Sequence, residues 1–350
     1  MDESYFKGRG AQIKTSNRFL KAGYVTDYKE GLDEQLLENP ETKIFLESSA
    51  KIVNKIDSPD LGMAYSMNPY QGCEHGCIYC YARNTHEYYG FSAGLDFESK
   101  IIVKKNAAYL LEQQLLKPNW SATPIMLSGN TDCYQPQERK WGLTREMLNV
   151  LSKYRHPVGL ITKNSLITRD IDILKDLASD NLVHVMISIT TLNEDLRRVM
   201  EPRTVSGIKR LKTVEALRQA GIPVGIMNAP IIPGLNHHEI PQIIKAAADH
   251  GALTAGMTVV RLNGSIGKLF EDWLRKNFPD RFDKVWNQIC SMHGGRVNDS
   301  KLGRRMAGDG NIADIIYQLF RAAKKQHLHG RKMPALDLTK FRKRGNLCLF

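Results

Sequence analysis

The sequence predicts an α/β protein: a partial parallel (β/α)6 barrel with N- and C-terminal extensions. Two observations predict it. Six short, continuously apolar runs recur along the middle of the chain, each followed by a polar turn. Between them lie segments with helical spacing of apolar residues, and strands that alternate with helices pair in parallel through right-handed crossovers.

Residues 1–60 are polar and mixed, and the turn-prone Asp57–Asp60 marks the entry to the regular part. The predicted strands are Ala64–Tyr70, Pro124–Ser128, Val158–Lys163, Leu182–Ile189, Pro223–Ala229 and Ala255–Leu262. Ser165–Ser179 places Ile167, Ile171, Leu174 and Leu177 on one helical face. Val205, Ile208, Leu211, Val214 and Leu217 predict a second apolar stripe, stopped by Gly221. Past Ser265 the alternation gives way to helices, among them Asp314–Gln326. The organisation expected is an N-terminal extension (1–60), the barrel (61–265), a helical extension (266–330) and a basic tail (331–350).

The longest apolar runs are far shorter than the ~20 residues a membrane span requires. The first ten residues, MDESYFKGRG, lack a basic-then-apolar leader, so a soluble, cytoplasmic protein is expected. Six cysteines in 350 residues make no disulfide scaffold. The net charge of +12 favours a polyanionic partner such as nucleic acid. Nine of the Lys and Arg residues fall in the last thirty positions, against Asp337 alone. That segment is expected either to bind phosphate backbone or to be a solvated tail.

Half of the cysteines stand in GCEHGCIYCYAR, Gly72–Arg83, as Cys73, Cys77 and Cys80. Glycines on either side of Cys73 make the loop turn-rich, so three sulfurs can converge. Three thiolates on a 4Fe-4S cube leave one iron without a protein ligand, and an open corner is what a substrate-binding centre keeps. A zinc site completed by His75 or His86 is the alternative, although zinc ligands are usually paired across two separated knuckles.

The spacing C-x3-C-x2-C, with Tyr79 before the last cysteine and a β/α barrel opening around it, resembles the radical S-adenosylmethionine (radical SAM) superfamily. NPYQGCEHGCIYCYARNTHEYYG is similar to its spore photoproduct lyase-like, or DNA repair photolyase-like, branch. The resemblance implies a lyase-like enzyme that reduces S-adenosylmethionine through a 4Fe-4S cluster. The resulting 5'-deoxyadenosyl radical abstracts a hydrogen atom from substrate. It also implies an external electron donor such as flavodoxin or ferredoxin.

The end of the second strand, Ser128–Pro136, departs from the family's Gly-Gly-Glu-like motif, with Gly129, Asn130, Thr131 and Asp132 in its place. A cationic amine needs acceptors, and Asp132 and Asn130 are the candidates. By resemblance, Lys163 neutralises the cofactor carboxylate and Ser188, with Thr190, binds the ribose or carboxylate. Glu201 is a candidate for the ribose hydroxyls, and Tyr79, Tyr81 and Ala229 flank the cofactor. A lysine at an apolar barrel mouth is costly without an anion. Cys133, directly after Asp132, is a candidate hydrogen-atom donor to a substrate radical, or else a small packing residue. The substrate is expected to be a nucleic-acid lesion or base, with a peptide or metabolite as the alternative. The third alternative is a zinc-stabilised nucleic-acid-binding protein. No aromatic ladder for stacking exposed bases is legible in the sequence.

Overall fold

The computed structural model describes residues 5–19 and 41–343. Ten strands follow in chain order: β1 Lys43–Glu47, β2 Val53–Lys55, β3 Tyr65–Met67, β4 Tyr70–Gln71, β5 Lys100–Lys104, β6 Ile125–Leu127, β7 Val158–Thr162, β8 Val183–Ser188, β9 Val224–Ile231 and β10 Ala255–Val259. The main sheet has the order β10-β9-β8-β7-β6-β3-β2, and every neighbouring pair from β3 to β10 is parallel. β2 adds an antiparallel edge. This is the six-stranded parallel arrangement expected, and no ladder among the described residues joins β10 back to β3.

Alternation along the strands sets the two faces. Val158, Leu160, Val183, Val185, Val224 and Ile226 turn outward into the main core beneath the covering helices. The intervening residues face the lumen. There each of three glycines stands in register with a methionine on the neighbouring strand: Gly159 with Met126, Gly225 with Met186 and Gly256 with Met227. A Cβ on Gly159 or Gly225 would come within 2.9 Å of its methionine, so the thioethers occupy the space that side chains would fill.

One predicted strand is split. Pro69 has no N–H to give to a ladder, and the run Ala64–Tyr70 divides around Asn68 and Pro69 into β3 and β4. β4 leaves the barrel and pairs with β5, which with β1 makes a small three-stranded sheet beside the cysteine loop. One predicted helical position also differs. The helix Gly207–Gln219 buries Leu211, Val214 and Leu217, but Ile208 is 60% exposed. Steps of three residues lag the helix by about 60° each, so a run of them leaves the buried face.

The N-terminal segment folds under the cysteine loop. Gly10 N and Ala11 N donate to the Glu98 carboxylate at 3.0 and 2.8 Å. A Cβ on Gly10 would lie 1.7 Å from the Gly76 carbonyl oxygen, so the two backbones meet at a contact only glycine allows.

Residues 331–343 run across the opposite, N-terminal end of the strands. Arg331 donates to the carbonyls of Ala248 and Ala252, His184 Nε2 to that of Pro334, and Arg342 N to that of Tyr154. Phe341 packs edge-on against His156. A cavity of about 960 Å³ remains there, lined by Met126, Met186, Met333 and Leu336 among others. Among the described residues no helix is long and apolar enough to cross a membrane.

Candidate active site

Cys73, Cys77 and Cys80 lie in the loop that follows β4, on the C-terminal side of the barrel strands where β/α barrels build their active sites. Gly72 and Gly76 have φ of +78° and +69°, the left-handed turns that bring the loop round. Cys73 and Cys77 are buried and Cys80 half-buried. Burial raises all three thiols, Cys77 to about 12, and the charges of Cys77 and Cys80 add to the rise at Cys73. The three sulfurs are therefore electrostatic neighbours, and a metal that takes them as thiolates must displace protons.

The loop rests on a buried ion pair. Arg83 Nη2 meets Glu98 Oε1 at 2.5 Å with both side chains fully buried, while Arg83 Nε donates to the Cys77 carbonyl at 2.9 Å. Three further donors and acceptors close the pair: Gly10 N, Ala11 N and the carbonyl of Gly94. Neither residue stands out in the sequence. Their only signal is a charge placed beside apolar loop residues.

Across the mouth, Asp132 follows β6. Oδ1 accepts from Thr162 Oγ1 (2.7 Å) and Tyr134 N (2.9 Å), and Oδ2 from Lys163 N (2.9 Å). His75 Nδ1 lies 3.4 Å from the same Oδ2. Burial alone would raise this carboxyl, but His75 and the hydrogen bonds hold it down to about 2. Its oxygens tie the cysteine loop to β6 and β7.

Glu201, expected as a ribose ligand, is placed inside the protein. It is fully buried, accepting from Tyr79 Oη, from Thr190 Oγ1 at 2.7 Å and from Arg210 Nη2. Burial raises its pKa, yet Arg210 and Lys163 bring it down to about 2. Glu201 thus positions the Tyr79 hydroxyl and the Thr190 side chain. Thr190 also donates to the Ala229 carbonyl at 3.2 Å, so its hydroxyl is spent on the protein. Thr131 is spent too, on the Tyr70 carbonyl at 2.6 Å.

Other expected residues remain at the mouth. Asn130 is half-buried, its amide donating to Gln71 Oε1 and Thr85 Oγ1. The Gly129 carbonyl accepts from the hydroxyl of Tyr81, a 55% exposed residue that directly follows Cys80. Ser188 is buried at the end of β8, and Ala229 is half-buried near the end of β9. Lys163 is half-buried with Nζ 5.9 Å from the Tyr79 ring centroid, and it forms no ion pair among the described residues. Burial lowers its pKa, but Cys77 and Glu201 outweigh that and raise it.

Cys133 is not at the mouth. It is fully buried in the main core, six residues past the end of β6, where it packs as a small apolar side chain.

The donor set fits an iron–sulfur cube rather than a single ion. Among the described residues no three His, Cys, Asp or Glu side chains gather closely enough for one metal ion, although the thiols share one loop. A mononuclear zinc site draws its sulfurs to about 2.3 Å from one centre, whereas the corners of a cube are spread apart. Nor are the histidines available. His75 is held by Asp132 and Asn164, and His86 is buried against Phe91 and Phe97. Lys163 supplies a half-buried cation at this mouth without an ion pair among the described residues.

Comparison with known proteins agrees. An uncharacterized protein of Mycobacterium tuberculosis is 32% identical over 231 residues, covering 65% of this chain and 68% of its own. One from Methanocaldococcus jannaschii is 28% identical over 252 residues, covering 72% and 90%. Among solved structures, a cysteine-to-serine mutant of spore photoproduct lyase superposes with a TM-score of 0.59 at 16% identity, covering 87% of this chain and 86% of that one. The same enzyme complexed with dinucleoside spore photoproduct gives 0.58 at 15%, covering 82% and 80%. These structural likenesses establish the fold. The family model of the radical SAM superfamily matches residues 67–247, over half of the chain, and this protein is a member of that superfamily.

Proposed function

We propose that this radical SAM enzyme acts on a nucleic-acid lesion or base. The family's cofactors are a 4Fe-4S cluster and S-adenosylmethionine; when bound, they supply a low-potential electron and a carbon-centred radical that removes hydrogen from substrate. The chain's own residues do the rest. Cys73, Cys77 and Cys80 hold iron, and Arg83 with Glu98 fixes the backbone that carries them. Lys163 receives the cofactor carboxylate, and Ser188 is buried within the same mouth. Glu201 holds Tyr79 against Lys163, while Asp132 holds His75 and the end of β7. The amine is left to Asn130 and the backbone carbonyls near Gly129. An electron donor such as flavodoxin or ferredoxin completes the system.

The observation that carries the cofactor assignment is Lys163: a half-buried cation beside Cys77 and Cys80 that forms no ion pair among the described residues. The nucleic-acid reading is supported by the net charge of +12 and by the fold shared with an enzyme solved with a dinucleoside photoproduct. The test is anaerobic incubation of iron-reconstituted protein with dithionite and S-adenosylmethionine, with and without ultraviolet-irradiated DNA. 5'-Deoxyadenosine should form, and alanine at Cys73, Cys77 or Cys80 should abolish it. Irradiated DNA should be converted to a new product in the complete reaction alone. Turnover of S-adenosylmethionine with DNA unchanged, and with no label exchanged between DNA and 5'-deoxyadenosine, would refute the nucleic-acid reading while keeping the cofactor assignment.

A further inference from the structure

We infer that the rim beside the mouth is a docking surface for single-stranded nucleic acid, built from a stacked aromatic pair and a cleft lined by three cations. The inference rests on the nucleic-acid reading above and gives it a place on the molecule.

The 3-10 helix Tyr81–Tyr89 leaves the cysteine loop directly. Ala82, Arg83, Asn84, His86 and Glu87 are buried, while Tyr81 at its start and Tyr88 near its end are 55% and 68% exposed. Exposed aromatics on a short helix are expensive to leave in water unless something covers them. Phe19, itself 50% exposed, stacks on Tyr88 at 4.7 Å and 28°, and the Arg18 guanidinium lies 4.8 Å from the Phe19 ring. The segment is held there by Asn17, whose amide donates to the carbonyls of Glu87 and Phe91. Two aromatics far apart in the sequence thus form one platform.

Beside the platform opens a cleft of about 410 Å³ lined by Lys14, Arg18 and Lys268. Its one carboxylate, Glu87, is already matched, with Oε1 accepting from Ser265 Oγ and Oε2 lying 3.0 Å from Arg18 Nε. The cleft therefore presents net positive charge. Cations that track phosphates, next to aromatic faces on which bases stack, are the two components of sequence-tolerant single-strand binding. Tyr81 and Tyr88 are seven residues apart on a helix rising about 2 Å per residue, so the platform lies about 14 Å from the mouth. That is about four nucleotides of stacked strand. A strand seated on the rim thereby brings a base within reach of the site.

The test is fluorescence anisotropy of full-length, cluster-loaded protein with a labelled single-stranded oligodeoxythymidylate at several salt concentrations. Tyr88→Leu should weaken binding tenfold or more, about the loss of one stacking contact, and Tyr88→Phe should restore it. Lys14→Ala combined with Lys268→Ala should reduce the slope of log affinity against log salt by about 1.4, at about 0.7 per phosphate contact. Lys332→Ala with Lys340→Ala, on the terminal segment at the far end of the barrel, should leave that slope unchanged. Binding by the native protein that none of the rim variants alters would overturn the surface and leave the nucleic-acid reading standing. Failure of the native protein to bind the strand would overturn the surface, and the irradiated-DNA assay would still decide the nucleic-acid reading. Equal competition by polyglutamate, independent of Tyr88, would assign the rim to an acidic peptide and overturn the inference.

Discussion

The oxygens of Glu201 are claimed from three directions: Tyr79 from the cysteine loop, Thr190 from the end of β8, and Arg210 from the following helix. A buried carboxylate in that position behaves as a fastener whose strength depends on pH. Its pKa is held at about 2, against an ordinary 4.5. Its contribution to stability is therefore complete above about pH 4.5 and is lost as the pH falls toward 2. Glu201→Gln leaves Arg210 buried without a counter-charge and should cost about 3–5 kcal/mol at neutral pH. Urea midpoints measured from pH 7 into the acid range should show the variant losing less on acidification, with Asp132 and the other depressed carboxylates, such as Asp96, supplying the dependence that remains. Identical acid slopes would rule out the fastener role. At this scale the sequence was legible where chemistry dictates residue type. The three cysteines could be read as one loop, and the structure places them together beside Lys163. It was illegible where surroundings decide, since of the adjacent Asp132 and Cys133 one is hydrogen-bonded to Thr162 and Lys163 while the other is sealed in the core.

The segment around Gly10 and the cysteine loop form one unit, because the Glu98 carboxylate accepts from Gly10, Ala11 and Arg83 together. Anything that lifts the segment removes donors from a fully buried charge and loosens the loop. Gly10→Ala places a methyl 1.7 Å from the Gly76 oxygen and must displace one backbone or the other. It should lower stability by about 1–3 kcal/mol and reduce the iron bound per chain after reconstitution. Gly62→Ala, with nothing within 4 Å of the added carbon, should stay within about 0.5 kcal/mol of the parent. Thermal melts and iron analysis of both variants check this, and equal values would show that the segment does not support the loop. The barrel strands were legible as elements because each is a continuous apolar run with a polar stop. The helper elements β1, β2 and β5 were not, because they lie outside the alternation of strands and helices that marks the parallel core. The exposed Tyr88–Phe19 platform was invisible for a different reason, since it joins residues 69 positions apart.

The whole molecule has two ends with separate duties. Chemistry sits where the strands point, and residues 331–343 close the end where they begin. Composition marked this terminal run as a phosphate binder or a solvated tail, but it cannot say at which end a tail lies. Removing residues 331–350 strips the half-buried Met333, Leu336 and Phe341 from the barrel, a loss of about 3 kcal/mol. The melting temperature should fall by several degrees, while cleavage of S-adenosylmethionine at 20 °C, within about twofold, survives. Lost cleavage in a truncated protein that still binds its full iron would tie the far end to the chemistry. The lumen between the two ends has one further consequence. Its volume is completed by Met126, Met186 and Met227 leaning over glycines, so the barrel is filled by the side chain that peroxide attacks most readily after cysteine. Sulfoxide is bulkier and polar, and glycine leaves it no fixed wall to lean on. Oxidants released at a reduced centre would thus threaten more than the iron: they would sit at the head of a column of thioethers, and the scaffold would be oxidised along with the cluster.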